Sequence, residues 1–304
     1  MNIVSNGSSG ATIPAPLLWT AVEPRRDTVT LPDGRSLAWS EWGTPTARPV
    51  LFCSGAGMSG SLGFGLDDLD ELGLRLVGID RPGLGRSSGQ PGLTLDSWVA
   101  DVRALPAVRD GERPLAVGFS QGSPFALALG AAGVVDAVAV VAGLDDVQEA
   151  RGRLVPQVAG MVEEATADPA GFERRFAEMA DAEGLWSLVL GMSGDVDRAF
   201  YGGALAEGYR RSLEEGFAHG AAGYARELAV TYAPWPFRVE DVRVPVQLWY
   251  GLLDTSPVHS PDFGETLERR LPHARRFTVE DAGSSLLWTH ARDILATLDA
   301  SAPR

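Results

Sequence analysis

Ser120 stands at the centre of a pentapeptide, Gly118-Phe119-Ser120-Gln121-Gly122, with a glycine two residues away on either side. An apolar run precedes the pentapeptide and a stretch of small residues with helical character follows it. A G-x-S-x-G sequence between a strand and a helix forms a sharp turn that exposes the serine hydroxyl. The N–H of Gln121, at the helix start, would face developing negative charge. The pattern predicts a nucleophilic serine with half of an oxyanion hole.

The elements that must position this turn alternate between apolar runs and helical stretches. Short apolar runs followed by turn residues predict buried parallel strands. These runs are Pro49–Ser54, Leu74–Asp80, Leu115–Phe119, Val135–Val141, Val244–Tyr250 and Arg276–Val279. Thr28–Leu31 and Ser36–Glu41 flank a Pro-Asp-Gly turn, which predicts a β-hairpin. Because strands and helices alternate, the predicted fold class is α/β, with a mostly parallel sheet and helices on both faces.

Residues 147–235 interrupt this alternation. They carry helical spacing, with glycine and proline between the segments, so we interpret them as an inserted helical domain. The core is then made of residues 21–146 and 236–304. Residues 1–20 are rich in serine, glycine and proline, which predicts a flexible N-terminal arm.

Composition excludes several kinds of chemistry and partner. The 304 residues have a net charge of −14, which disfavours binding to nucleic acid or to an anionic membrane surface. All 26 basic residues are arginine, which excludes a lysine Schiff base or a P-loop lysine. The four histidines and the one cysteine show no metal-binding spacing, so no metal site is predicted. With no signal-peptide or membrane-spanning pattern, the predicted localisation is cytoplasmic.

Four segments together resemble the α/β-hydrolase superfamily. They are PVLFCSG at 49–55, GIDRPGLGRSS at 78–88, AVGFSQGSPFALALG at 116–130 and VPVQLWYGLLDTSPV at 244–258. Within the superfamily, the chain is similar to bacterial hydrolases of the proline iminopeptidase and small-ester type, over about residues 27–299. The resemblance implies an α/β-hydrolase fold with an eight-stranded, mostly parallel sheet and a helical cap at residues 147–235. It implies a small-molecule substrate and no cofactor.

The resemblance also implies roles for residues outside the serine turn. Ser54-Gly55-Ala56-Gly57 takes the place of the family's His-Gly-x-x-Gly loop, so the Ala56 N–H becomes the second oxyanion-hole donor beside Gln121. Asp254, after the next-to-last strand, takes the place of the triad acid, which accepts the imidazole N–H. Asp145 and Asp146 occupy an alternative position for the acid, where capping of the first cap helix is the preferred interpretation.

The base is where this chain departs from the family. The family has Ala-Gly-His-Ser after the last strand, whereas this chain has Ala282-Gly283-Ser284-Ser285, so Ser284 occupies the place of the histidine. A hydroxyl cannot take the proton from Ser120 at neutral pH. The histidines are His219, His259, His273 and His290. Each is most simply interpreted as an ordinary polar residue, and His259, five residues beyond Asp254, is the least implausible substitute base.

These residues predict a serine-hydrolase-type enzyme that acts through Ser120 on a small ester, amide or lactone. Its hydrolytic efficiency is in doubt, because loss of the base costs about 10⁶ in rate. One alternative is a non-hydrolytic catalyst, such as a cyclase, isomerase or lyase. Another is a ligand-binding protein, as in the gibberellin receptors, which resemble carboxylesterases that lost the same base. A laboratory replacement of a histidine at position 284 is the remaining explanation.

Substrate contacts are expected from Ser54 and Gly55 beside the serine, and from Trp186 and Tyr201 in the cap. Aromatic residues at helical spacing are nevertheless more often packed core than substrate contacts. In proline iminopeptidases, cap carboxylates hold the amino terminus of the substrate. The acidic cap residues here are Glu163, Glu164 and Glu178, for which a solvated helix face is an equal explanation. The motifs do not identify the substrate, because specificity depends on the cavity that the cap lines.

Overall fold

One sheet of nine strands organises the computed structural model, which describes residues 2–3 and 22–303. The strands are β1 Asn2–Ile3, β2 Arg25–Thr30, β3 Ser36–Gly43, β4 Arg48–Cys53, β5 Leu74–Asp80, β6 Leu115–Phe119, β7 Val138–Val141, β8 Val246–Gly251 and β9 Ala274–Val279. Their order across the sheet is β1-β9-β8-β7-β6-β4-β5-β3-β2. Neighbouring strands are parallel except at β2–β3 and β3–β5, which are antiparallel.

Helices connect the strands and cover the sheet. Outside residues 147–235 they are α1 Leu69–Leu72, α2 Leu95–Val102, α3 Pro106–Arg109, α4 Ser123–Ala131, α12 Glu265–Arg270, α13 Leu286–Thr289 and α14 Ala291–Ser301. Between β7 and β8 they are α5 Val147–Ala150, α6 Pro156–Ala167, α7 Pro169–Met179, α8 Ala182–Met192, α9 Asp195–Tyr201, α10 Ala206–Gly216 and α11 Ala222–Tyr232. None of these helices in the described part of the chain has the length and apolar character needed to cross a membrane.

The central strands are apolar without interruption because both faces of the sheet are covered. Strands β5, β6, β7 and β8 are buried along their whole length. Alternate residues of a strand point to opposite faces. In β4, Val50 and Phe52 belong to one buried cluster, whereas Leu51 and Cys53 belong to the other. The sheet therefore separates two hydrophobic cores, as expected for a parallel sheet between two helical layers.

The predicted fold class, a mostly parallel sheet with helices on both faces, is confirmed. Strands β2 to β9 are the eight predicted strands, and the short β1 adds a ninth at the edge by pairing in parallel with Phe277–Thr278 of β9. Its two residues belong to the predicted flexible arm, and they pair at the sheet edge because a strand edge leaves backbone groups open to another strand. Residues 4–20 of that arm lie outside the described residues. The segment 147–235, hereafter the helical segment, is described throughout and contains helices but no strand.

Candidate active site

The carboxyl ends of the parallel strands meet along one edge of the sheet. The strand register pairs Cys53 with Gly118, Phe119 with Val141, and Gly251 with Val279. The loops that follow β4, β6, β7, β8 and β9 therefore begin side by side. Ligand sites of open α/β sheets lie at this edge. The serine turn, the glycine-rich loop after β4, Asp254 and Ser284 all belong to these loops.

Ser120 lies in a strained turn between β6 and α4. Its φ of 50° is in the left-handed region, which non-glycine residues rarely adopt. A Cβ at Gly118 would lie 2.7 Å from the Cα of Ser123, and a Cβ at Gly122 would lie 2.0 Å from the carbonyl oxygen of Cys53. Both positions therefore require glycine, because a side chain would clash with backbone. The geometry agrees with the strand-turn-helix context that a nucleophilic serine needs.

His259 joins Ser120 to Asp254. Its Nε2 lies 2.9 Å from Ser120 Oγ, and its Nδ1 lies 2.6 Å from Asp254 Oδ2. A carboxylate only accepts hydrogen bonds, so Nδ1 carries the proton and Nε2 is left to accept the Ser120 O–H. The second carboxylate oxygen, Oδ1, accepts the Ser256 N–H at 2.9 Å, which holds the carboxylate in place. This is the arrangement of nucleophile, base and acid found in serine hydrolases.

The loop after β8 carries both Asp254 and His259. The His259 N–H donates to Ser256 O at 3.3 Å, which turns the chain back toward Asp254. The Ser260 N–H donates to Gly143 O at 2.9 Å, and this bond ties the loop to the end of β7. The side chains of His259 and Asp254 are 9% and 4% exposed, so the pair is shielded from solvent. The loop around His259 is therefore held by bonds to Asp254 and Ser256, which are nearby in the sequence, and by a bond to Gly143 at the end of β7.

His259, the residue weighed as a substitute base, is the histidine that the structure brings within hydrogen-bond distance of Ser120 Oγ. It lies in the loop after β8, whereas the family phrase places a histidine after β9. The two strands are neighbours, and their loops start side by side, so either loop can approach the serine. The other histidines lie elsewhere: His219 and His273 are exposed, and His290 is half-buried with Nδ1 2.9 Å from Thr289 Oγ1.

Ser284, at the place expected for the histidine, belongs to a different network. Its Oγ lies 2.8 Å from the Tyr201 hydroxyl and donates to Asp197 Oδ2 at 3.0 Å. Asp197 also accepts the N–H groups of Ser284 and Ser285, at 2.8 and 2.9 Å. Asp197 belongs to α9 and is 1% exposed. The position that holds the base in the family therefore anchors the helical segment to the sheet edge.

A Ser284→His variant is expected to gain no ester hydrolysis and to lose stability. Asp254 already binds His259, and Ser284 is 4% exposed, so an imidazole there must displace Tyr201 or Asp197. Overpacking of this kind costs about 1–3 kcal/mol. Urea unfolding and kcat/KM on p-nitrophenyl hexanoate measure the two effects. A tenfold or larger gain in kcat/KM would show that position 284 still belongs to the catalytic machinery.

Ala56 and Gln121, the residues predicted to supply oxyanion-hole N–H groups, both line the cavity beside Ser120. Neither N–H donates to a backbone acceptor within the described residues. Both groups are therefore available to a ligand oxygen, as an oxyanion hole requires.

Ser54 and Gly55, which precede Ala56 in the loop after β4, are hydrogen-bonded to other parts of the protein. Ser54 Oγ donates to Met58 O at 3.0 Å. The Ser54 and Gly55 carbonyls accept the Arg81 guanidinium at 2.6 and 2.9 Å. Neither residue lines the cavity. Ser54 and Gly55, expected to contact substrate, instead hold the loop. The Ser54 hydroxyl and the carbonyls of both residues are already hydrogen-bonded within the protein.

A cavity of about 120 Å³ lies over Ser120 and is lined largely by the helical segment. Its apolar side chains come mainly from α6, α7, α8 and α11. They include Met161, Phe176, Leu185, Leu188, Val189, Met192 and Leu228. Tyr201 lines the cavity as expected, whereas Trp186 does not, because its ring packs against Tyr209 at 5.5 Å and under the Arg210 guanidinium. The acidic residues Glu163, Glu164 and Glu178 are exposed on the outer surface.

The carboxylates after β7 do not contact the histidine. Asp145 is 1% exposed and pairs with Arg153 at 3.3 Å, and burial raises its pKa to about 6. Asp146 occupies the N-cap position of α5, but its side chain makes no capping bond and pairs with Arg270 at 3.1 Å. Nearby Cys53 is fully buried, and burial raises its thiol pKa to about 12, so it stays protonated at neutral pH.

Two contacts between the helical segment and the rest of the protein could not be predicted from the sequence. Asp197 binds the loop after β9, and Glu227 of α11 pairs with Arg81, with both side chains fully buried. Asp197 and Glu227 are acidic residues on helices, where a solvated face is the ordinary interpretation. Arg81 belongs to the DRPGLGRSS segment, which points to a role for it but does not identify its partner.

Comparisons with known proteins agree with this geometry. A model of the alpha/beta hydrolase family matches residues 50–297. A non-heme chloroperoxidase from Streptomyces lividans is 35% identical over 104 residues, which are 31% of this chain and 35% of that protein. The chain thus matches about a third of this relative's length. The enol-lactonase from Burkholderia xenovorans LB400 superposes with a TM-score of 0.66 at 18% identity, covering 90% of this chain and 98% of that one. An esterase from Exiguobacterium antarcticum gives 0.61 at 16% identity, covering 90% and 97%.

Proposed function

The chain belongs to the alpha/beta hydrolase family, and from this premise we propose that it is a serine hydrolase that cleaves a small ester or lactone. The observation that carries the proposal is the continuous chain of contacts from Ser120 through His259 to Asp254, with distances of 2.9 and 2.6 Å. The names of the structural relatives, an enol-lactonase and an esterase, support the same reaction class.

The proposed reaction has two steps. Ser120 Oγ attacks the substrate carbonyl carbon while His259 Nε2 takes its proton, and the Ala56 and Gln121 N–H groups stabilise the oxyanion. The C–O bond to the leaving alcohol then breaks, and His259 returns the proton to that oxygen. In the second step, water gives a proton to His259 and attacks the acyl carbon. The bond from that carbon to Ser120 Oγ then breaks, and His259 returns the proton to Oγ, which releases the acid and restores Ser120. Asp254 stabilises the imidazolium in both steps.

The alternative functions have less support than hydrolysis. A non-hydrolytic catalyst or a ligand-binding protein is favoured where a serine nucleophile has no base. His259 supports hydrolysis instead, because its Nε2 lies within hydrogen-bond distance of Ser120 Oγ. We therefore expect efficient rather than residual turnover.

The proposal predicts that Ser120 reacts with a fluorophosphonate probe and that the protein hydrolyses p-nitrophenyl acetate. A Ser120→Ala variant is expected to lose the label and about 10⁶-fold in kcat, because the covalent step has no other nucleophile. Mass spectrometry of the labelled peptide and ester kinetics measure this. Ser301→Ala, on the far C-terminal helix, is the matched control. Hydrolysis that survives Ser120→Ala would dismiss this mechanism, and a folded wild-type protein that neither labels nor hydrolyses would favour ligand binding.

A further inference from the structure

Three tyrosines of the helical segment line the cavity with their side chains almost fully buried. Tyr209 of α10 is 4% exposed, and Tyr224 and Tyr232 of α11 are 7% and 2% exposed. Tyr224, Leu228 and Tyr232 are spaced by four residues, so they share one helix face, and all three line the cavity. The wall that the helical segment presents is therefore apolar with phenol groups set into it.

The hydroxyls of these three tyrosines have no hydrogen-bond partner among the described residues, whereas the other two tyrosines do. Tyr201 bonds to Ser284 at 2.8 Å, and Tyr250 donates to the Gly143 carbonyl. A buried phenol normally finds a partner, because desolvation of the hydroxyl is otherwise uncompensated. None of the three hydroxyl oxygens is among the described side-chain atoms that are fully buried and lack a hydrogen-bond partner. Each oxygen therefore keeps some accessible surface, and the cavity is a space that all three side chains line.

All three phenols are uncharged at neutral pH, because burial raises their pKa, to about 12 for Tyr232. Tyr232, Glu227 and Tyr209 raise the pKa of Tyr224 further. A neutral phenol both donates and accepts hydrogen bonds. The group can therefore satisfy a hydroxyl, a ketone or an ether oxygen, whichever the ligand presents.

The described residues that line the cavity offer no unpaired charge to a charged group of a ligand. Asp254 is the one acidic or arginine side chain among the described lining residues, and it is bound to His259. Glu227, one turn from Tyr224 on α11, is paired with Arg81 and does not face the cavity. Burying an unpaired carboxylate or ammonium in such surroundings is strongly unfavourable. The cavity therefore selects against acids and amines.

We propose that Tyr209, Tyr224 and Tyr232 form a polar subsite that binds a neutral oxygen of an otherwise apolar ester or lactone, away from the bond that is cleaved. This inference rests on the proposed function for its catalytic readout. It assigns the substrate class as a neutral, oxygenated and mostly apolar acyl compound. Substrates with a free amino terminus, which proline iminopeptidases take, are outside this class.

Three p-nitrophenyl esters of similar length test the subsite: hexanoate, 5-oxohexanoate, which adds a remote ketone, and hydrogen glutarate, which carries a carboxylate. We expect kcat/KM for the 5-oxohexanoate to exceed that for hexanoate by about fivefold to tenfold. The glutarate is expected to fall at least about 100-fold below hexanoate. Tyr209→Phe, Tyr224→Phe and Tyr232→Phe should each lower the ratio of 5-oxohexanoate to hexanoate toward one. Tyr250→Phe, whose hydroxyl is bound outside the cavity, is the matched control and should leave the ratio unchanged.

Binding separates failure of the subsite from failure of the proposed function. The dissociation constants of the same three esters can be measured with Ser120→Ala protein, by quenching of tryptophan fluorescence. If the wild-type protein hydrolyses none of the esters but the binding preference persists and falls in the Tyr→Phe variants, the hydrolase function is wrong and the subsite stands. A ratio near one in the wild-type protein, or a ratio that all three Tyr→Phe variants retain, overturns the subsite.

Discussion

Replacing His259 by alanine is expected to lower kcat for p-nitrophenyl hexanoate by about 10⁶-fold. The imidazole is the group within 2.9 Å of Ser120 Oγ that can accept its proton, and Asp254 on its other side only orients and stabilises it. Without the base, the serine hydroxyl stays protonated at neutral pH and attacks slowly. The oxyanion hole and binding alone leave about 10³–10⁴ over water. Steady-state kinetics with active-site titration of the wild-type protein measure the loss.

The other histidines provide matched controls for this variant. His219→Ala and His273→Ala remove exposed imidazoles and are expected to keep wild-type kcat. Circular dichroism and the urea midpoint of His259→Ala show whether the variant remains folded. If folded His259→Ala protein retains more than about a hundredth of wild-type kcat, another group acts as the base and the proposed mechanism fails.

Replacing Glu227 by alanine is expected to lower the free energy of unfolding by about 3–5 kcal/mol. Glu227 Oε1 and Oε2 accept Arg81 Nε and Nη2 at 2.5 and 2.9 Å, and both side chains are fully buried. Removal of the carboxylate leaves a guanidinium in the interior without a counter-charge, which costs far more than the loss of one neutral hydrogen bond. A loss of this size is a large share of the about 5–15 kcal/mol that stabilises a typical protein.

The same variant is expected to lower kcat, because Arg81 also holds the loop of the oxyanion hole. Its guanidinium donates to the carbonyls of Ser54 and Gly55, the residues just before Ala56. If the Arg81 side chain moves, these two bonds are lost and the Ala56 N–H can shift away from the position of the oxyanion. Glu227→Gln keeps an acceptor for Arg81 and should lie between wild type and Glu227→Ala in both measurements.

An exposed ion pair gives the comparison for the stability effect. Arg269 and Glu265 lie 2.7 Å apart with side chains 60% and 55% exposed. Glu265→Ala is expected to change the free energy of unfolding by less than about 1 kcal/mol, because solvent already screens this pair. Equal destabilisation by Glu227→Ala and Glu265→Ala in urea unfolding would mean that the buried pair contributes no more than a surface one.

Features that depend on residues adjacent in the chain could be predicted from the sequence. The turn around Ser120 follows from the glycines at 118 and 122, since a Cβ at either would meet backbone atoms. Strands β5 and β6 were predicted with their observed bounds, because uninterrupted apolar runs form buried parallel strands. The resemblance singled out Asp254 as the acid, and the structure has this residue three positions after the end of β8, at the same sheet edge.

The tertiary structure alone decided which histidine lies beside the serine. Ser120 and His259 are 139 positions apart, and their contact depends on a loop that is tied to β7 through Ser260 and Gly143. The family phrase has its histidine in the loop after β9. In this chain that place is Ser284, which binds Asp197. The unbonded tyrosine hydroxyls and the pairing of Arg81 with Glu227 likewise depend on how α9, α10 and α11 pack over the sheet. Local patterns specify a strand or a turn because those form between chain neighbours, whereas a catalytic contact requires distant segments to meet.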